Sequence, residues 1–179
     1  MSTAQQGGHR RIDRINEASF LEGIGELPLD ELRARRDECL AEREYLSLLR
    51  RLVQGRAEIL QAELASRSSD DDAGPLVDRL ASILAGDEQQ GPSRGEAVRV
   101  GLPEDEMLQA RRRVERLVAD AGISDPASLD DAELKSAVDT LVMEEHEVSQ
   151  SRSMVIGVLD TLQDELKRRY KDDPTLALH

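Results

Sequence analysis

The chain of 179 residues has no tryptophan, one phenylalanine and two tyrosines. A compact core normally takes much of its buried area from aromatic rings. Their scarcity argues against sheets and for long helices sharing a narrow seam of Leu and Val. Cysteine is limited to Cys39, which excludes an internal disulfide and any Cys-rich metal site. Its place among regularly spaced apolar residues marks it as a core thiol. No segment resembles a signal peptide, and no apolar run has the length of a membrane span, so a cytoplasmic protein without membrane contact is expected. Positive charge is also short. With 24 Lys and Arg against 37 Asp and Glu, the net charge is −13, which argues against direct binding to duplex DNA, whose phosphates must be neutralised by cations. A basic protein partner fits better. The three histidines, His9, His146 and His179, are scattered, and no Walker-type glycine loop is present. With no nucleophile–base set or metal cluster, the expectation is that the chain is not an enzyme.

What is present is helical pattern. Residues 1–17 are polar, with a Gly pair and no periodicity, and are expected to be disordered. Residues 18–67 carry a first long helix with its lead-in, Asp30 being the expected N-cap. Residues 68–102 read as a linker enclosing a short amphipathic helix over 75–86, and residues 103–121, opened by Pro103 and acids, as a middle helix. A second long helix is expected within 122–170, starting near Leu129, followed by a C-terminal tail over 171–179.

Placing residue n over residue n+102 reveals a duplication. Between 31 and 64 there are twelve identities in 34 ungapped positions, among them Glu42/Glu144, Ser47/Ser149, Arg50/Arg152, Val53/Val155, Gly55/Gly157 and Glu63/Glu165; chance would give about two or three. Both copies have a heptad seam, Leu32, Arg36, Cys39, Arg43, Leu46, Arg50, Val53, Ala57, Leu60 and Leu64 in the first, and Leu134, Val138, Leu141, Glu145, Val148, Arg152, Val155, Leu159, Leu162 and Leu166 in the second. The expected fold is all-α: a long antiparallel hairpin or coiled coil of two duplicated helices related by a local two-fold axis, with shorter connecting helices.

Polar groups interrupt that seam. The second copy carries Glu145, Ser149, Arg152 and Asp160, with Ile156 between the last two; the first carries Arg43, Ser47, Arg50, Gln54 and Glu58. Offsets of 0, 4, 7, 11 and 15 keep the five slots within about 80° of one another on a helix. Buried without partners, such groups would cost a few kcal/mol each. Three explanations remain open: the arginines pair with acids across the hairpin and fix register, the stripe is a solvated flank, or it binds a polar ligand. In the last case Arg donates to guanine O6 and N7, a carboxylate accepts from N1–H and N2–H, and Ser beside Arg suits phosphate. Gly55 and Gly157, costly inside helices by about 1 kcal/mol, imply a close approach to the backbone, by a neighbouring helix or by a ligand base.

The pattern Glu-x3-Ser-x2-Arg-x3-Gln-x3-Asp, present twice on paired helices, resembles the RsiG family of actinobacterial anti-sigma factors that require cyclic di-GMP. The second copy matches four of five slots, with Ile156 in place of Gln; the first matches Ser47, Arg50 and Gln54, keeps a carboxylate at Glu58, and departs at Arg43. The resemblance implies that Arg43, Ser47, Arg50, Gln54, Glu58, Glu145, Ser149, Arg152 and Asp160 hold cyclic di-GMP, as a partly intercalated dimer. The loaded protein would sequester a sporulation sigma factor of the WhiG, flagellar type. The alternative is a structural coiled-coil adaptor whose polar stripe sets register and binds no small molecule.

Overall fold

The computed structural model describes residues 11–68, 101–120, 123 and 125–178. They form a short helix α1 (Arg11–Ile15), a long α2 (Leu29–Ser68), α3 (Glu104–Asp120) and a second long α4 (Asp131–Asp172), with single 3-10 turns at Ala18–Phe20, Pro126–Ser128 and Pro174–Leu178. There is no strand among the described residues, as the shortage of aromatic and β-branched runs requires. The expected amphipathic helix over 75–86 and nearly all of the linker lie outside the described residues.

The two long helices pack along their length as an antiparallel pair. Cross-hairpin bonds give the direction: Arg33 reaches Tyr170, Ser47 meets Arg152, and Arg67 meets Asp131, so rising numbers on α2 face falling numbers on α4. At 40 and 42 residues each helix is roughly 60 Å long. Their seam is the core. Leu32, Cys39, Leu46, Val53, Ala57 and Leu60 of α2 and Leu134, Val138, Leu141, Val148, Val155, Leu159, Leu162 and Leu166 of α4 are buried, joined by Leu49 and Ala137. The seam positions predicted as polar, Arg36, Arg43, Arg50, Glu145 and Arg152, lie at its edge and none is fully buried.

The ends of the hairpin show what the helical pattern alone does not specify. Asp30 is not the cap of α2. It sits inside the first turn, where its charge still favours the positive helix end, and the carbonyl of Pro28 accepts the first bond, from Leu32 N–H. The place equivalent to Pro28 in the second copy is Asp130, which forms a capping box with Glu133 and starts α4 at Asp131, near the expected Leu129. Residues 11–17, expected to be disordered, include α1, and Ile15 and Phe20 join the core at 1% and 4% exposure; a few apolar residues beside an existing groove suffice to order a segment whose own composition is polar. The C-terminal tail is also tied down, since Arg33 donates to the carbonyl of Leu176 at 2.6 Å.

Helix α1 packs on both long helices and α3 on α2. Glu42 accepts from Arg11 at 2.8 Å, and its repeat counterpart Glu144 accepts from Arg113 at 2.8 Å. Arg11 and Arg113 are themselves 102 apart, at the head of "RIDRI" and "RVERL". The duplication therefore reaches beyond the long helices and makes α1 the counterpart of part of α3. Glu42 and Glu144 each precede the first stripe slot by one residue, about 100° round the helix. The accessory helices accordingly occupy the flank away from the stripe, leaving the stripe face uncovered by them.

Candidate ligand-binding site

Each long helix brings one stripe to the same face of the hairpin, because a two-fold axis across an antiparallel pair returns a face to itself. At the centre, Arg152 Nε donates to Ser47 Oγ at 2.9 Å, and Ser47 in turn donates to the Arg43 carbonyl at 2.7 Å. Arg50 Nε donates to Glu145 at 2.6 Å, and Ser149 donates to the same carboxylate oxygen at 2.9 Å. Further out, Gln54 donates to Glu58 at 3.1 Å, and Arg43 pairs with its neighbour Glu44 at 2.8 Å. Asp160 is exposed at the far end of its stripe. The structure thus brings Ser47, Arg50, Glu145, Ser149 and Arg152 together across the hairpin, and sets Gln54, Glu58 and Asp160 along the same face.

The Arg50–Glu145 pair is half open to solvent, with side chains 44% and 26% exposed, so screening keeps its contribution small, about 0–1 kcal/mol. Arg50 chiefly, and then Ser149, hold the Glu145 carboxyl below its ordinary range against the opposing effect of burial. Arg152, by contrast, makes no ion pair among the described residues; its partner is a hydroxyl. A guanidinium donating to a neutral hydroxyl keeps most of its donors for another acceptor.

Neither Gly55 nor Gly157 has an atom of another element within 4 Å of where a Cβ would stand. Among the described residues no helix packs tightly against either glycine, and both border open space there. A cleft of about 1130 Å³ is lined by Arg11, Glu42, Tyr45, Arg113, Glu147 and Ser151 among others, and by none of the nine predicted residues. It lies between the accessory helices, on the other flank. Neither α1 nor α3 covers the stripe, which leaves room for a flat base laid across the two long helices.

A family model described as RsiG-like matches residues 18–84 and 120–178, taking in both stripes and most of the chain. The chain belongs to the RsiG-like family. Membership points to an anti-sigma role with a sigma factor as partner. No curated protein matches the chain. In this RsiG-like chain the family match leaves out α1 and all but the last residue of α3, the two elements held by Arg11 and Arg113. Among the described residues, no helix is long and apolar enough to cross a membrane.

Two further positioning pairs were missed by reading the sequence. Arg67 and Arg169 anchor the hairpin ends, and Arg11 and Arg113 attach the accessory helices. The signal for both was the offset of 102 itself, which extends to these four arginines.

Proposed function

We propose that this RsiG-like protein is a cytoplasmic, non-catalytic anti-sigma factor. It binds cyclic di-GMP, as a dimer, on its paired polar stripes, and when loaded sequesters a sigma factor of the WhiG, flagellar type without touching DNA. The observation that carries this reading is the convergence of Ser47 with Arg152 and of Arg50 with Glu145 and Ser149 on one face, which, like both repeat glycines, is left open by the described residues. Arginine and carboxylate side by side are the donor and acceptor set that a guanine edge requires, and Ser beside Arg adds a phosphate contact. The net charge of −13 complements the basic surfaces with which a sigma factor approaches DNA.

A structural adaptor draws support from the same contacts, since Arg50–Glu145 and Arg152–Ser47 also satisfy one another without any ligand and fix the register of the pair. Capture of the sigma factor separates the two. Immobilised protein retains a WhiG-type sigma factor only when cyclic di-GMP is present if the stripe is a ligand site. Retention that ignores the nucleotide rules out ligand gating.

A further inference from the structure

The antiparallel register redistributes the repeat motif into two composite ends, and the two are not alike. Arg50 meets Glu145 and Ser149, and Gln54 lies one turn beyond Arg50. This end therefore assembles Glu, Ser, Arg and Gln, every residue type the motif calls for in its first four slots. At the other end Arg152 meets Ser47; Arg43 lies one turn before Ser47, and Ile156 one turn after Arg152. Both departures from the motif therefore fall at the same end, level with each other.

The chemistry of the ends differs accordingly. The Arg50 end has a cation touching a carboxylate, so a guanine placed there gains acceptors for N1–H and N2–H as well as donors to O6 and N7. The Arg152 end has two guanidinium groups, a hydroxyl and an isoleucine. Its carboxylate, Asp160, is eight residues from Arg152, about 12 Å along the axis, out of reach of the base that Arg152 itself contacts. Arg43, with Glu44 beside it at 2.8 Å, adds a second positive charge at this end, which suits a phosphate. Around these ends the frame stays symmetric: Glu42 and Glu144 take Arg11 and Arg113 alike.

We infer that the two ends read different parts of the ligand: the Arg50, Gln54, Glu145 and Ser149 end selects guanine. The Arg43, Ser47, Arg152 and Ile156 end holds phosphate with an apolar seat that accepts either purine. This rests on the cyclic-dinucleotide reading above and adds that a mixed dinucleotide with a single guanine is also a ligand.

Calorimetric titration of the full chain with cyclic di-GMP, cyclic GMP–AMP and cyclic di-AMP tests it. Cyclic GMP–AMP is expected to bind within about fivefold of cyclic di-GMP. Cyclic di-AMP, which forfeits the one edge-reading contact set, should be at least about tenfold weaker. The double substitution Arg43→Glu with Ile156→Gln restores a guanine-reading set at the second end and should widen the gap between cyclic di-GMP and cyclic GMP–AMP to more than about tenfold. Circular dichroism confirms that the variant keeps its helices. Wild-type preference for cyclic di-GMP over the mixed nucleotide beyond fivefold, or equal binding of all three, overturns the inference and leaves the ligand reading standing. Binding of none of the three overturns both.

Discussion

Arg67 and Arg169, 102 residues apart, do the same thing at opposite ends of the hairpin. Arg67 donates to the carbonyls of Leu129 at 2.6 Å and Pro126 at 2.9 Å; Arg169 donates to those of Leu27 at 2.6 Å and Ile24 at 2.7 Å. The four carbonyls are themselves related by the same 102. Each arginine is steadied one turn back by a glutamate, Glu63 or Glu165. A matched clamp at either end sets how the long helices are rotated about each other, and hence which side chains share the stripe face.

Removing one clamp leaves two backbone acceptors without their donor, a loss of about 1–2 kcal/mol when water replaces it only in part. Arg169→Met is expected to lower unfolding stability by that amount in urea titration. Arg67→Met acts in the same direction. Neither changes the helical content before the transition.

Glu165 sits between Arg168 and Arg169, which bring its carboxyl down to about 2; Glu145 is lowered by Arg50. An unfolded carboxyl titrates near about 4.3, so below that pH the unfolded chain binds protons that the folded chain refuses, and stability rises with pH there. The stabilisation is complete above about pH 4.3 and is lost as pH falls toward 2. Thermal melts from pH 7 downward should show Tm dropping in this window, with a shallower drop in Glu165→Gln.

Gly157→Ala separates backbone cost from ligand contact. Its φ is not in the left-handed region and nothing stands within 4 Å of the added Cβ, so alanine should stabilise the free protein by about 0.5–1 kcal/mol. A base seated against that backbone would meet the new methyl. Cyclic di-GMP affinity is therefore expected to fall while Tm rises; a rise in Tm with unchanged affinity places the ligand elsewhere.

Cys39 is 0% exposed, and burial, with Glu38 and Glu42 nearby, pushes its thiol up to about 12. With almost no thiolate at pH 8 and no access, it should resist a thiol reagent in the folded protein. It should react once the hairpin is unfolded in denaturant.

The hairpin was legible because burial follows spacing: Leu134, Leu141, Val148, Val155 and Leu162 fall every seven residues and all are buried. The duplication was legible through identities such as Ser47/Ser149. Its extension to "RIDRI" and "RVERL" is faint in the sequence, since Ile to Val, Asp to Glu and Ile to Leu are similarities and not identities, and the first lies at the end of a polar leader. For the clamps the offset of 102 is the sole signal, because an arginine donating to carbonyls needs no particular side chain opposite it. The caps of α2 and α4 differ because Pro28 stands where the second copy has Asp130, and a proline offers no side-chain acceptor.

The most direct measurement is the heat of cyclic di-GMP binding to the folded chain, wild type against Arg152→Ala and Arg50→Ala, with helicity followed on the same samples. If the paired stripes are the ligand site, wild type binds and either alanine weakens or abolishes binding at unchanged helical content. A well-folded wild type that gives no heat, or variants that lose helix with and without nucleotide, would contradict the account and leave the stripe a register device.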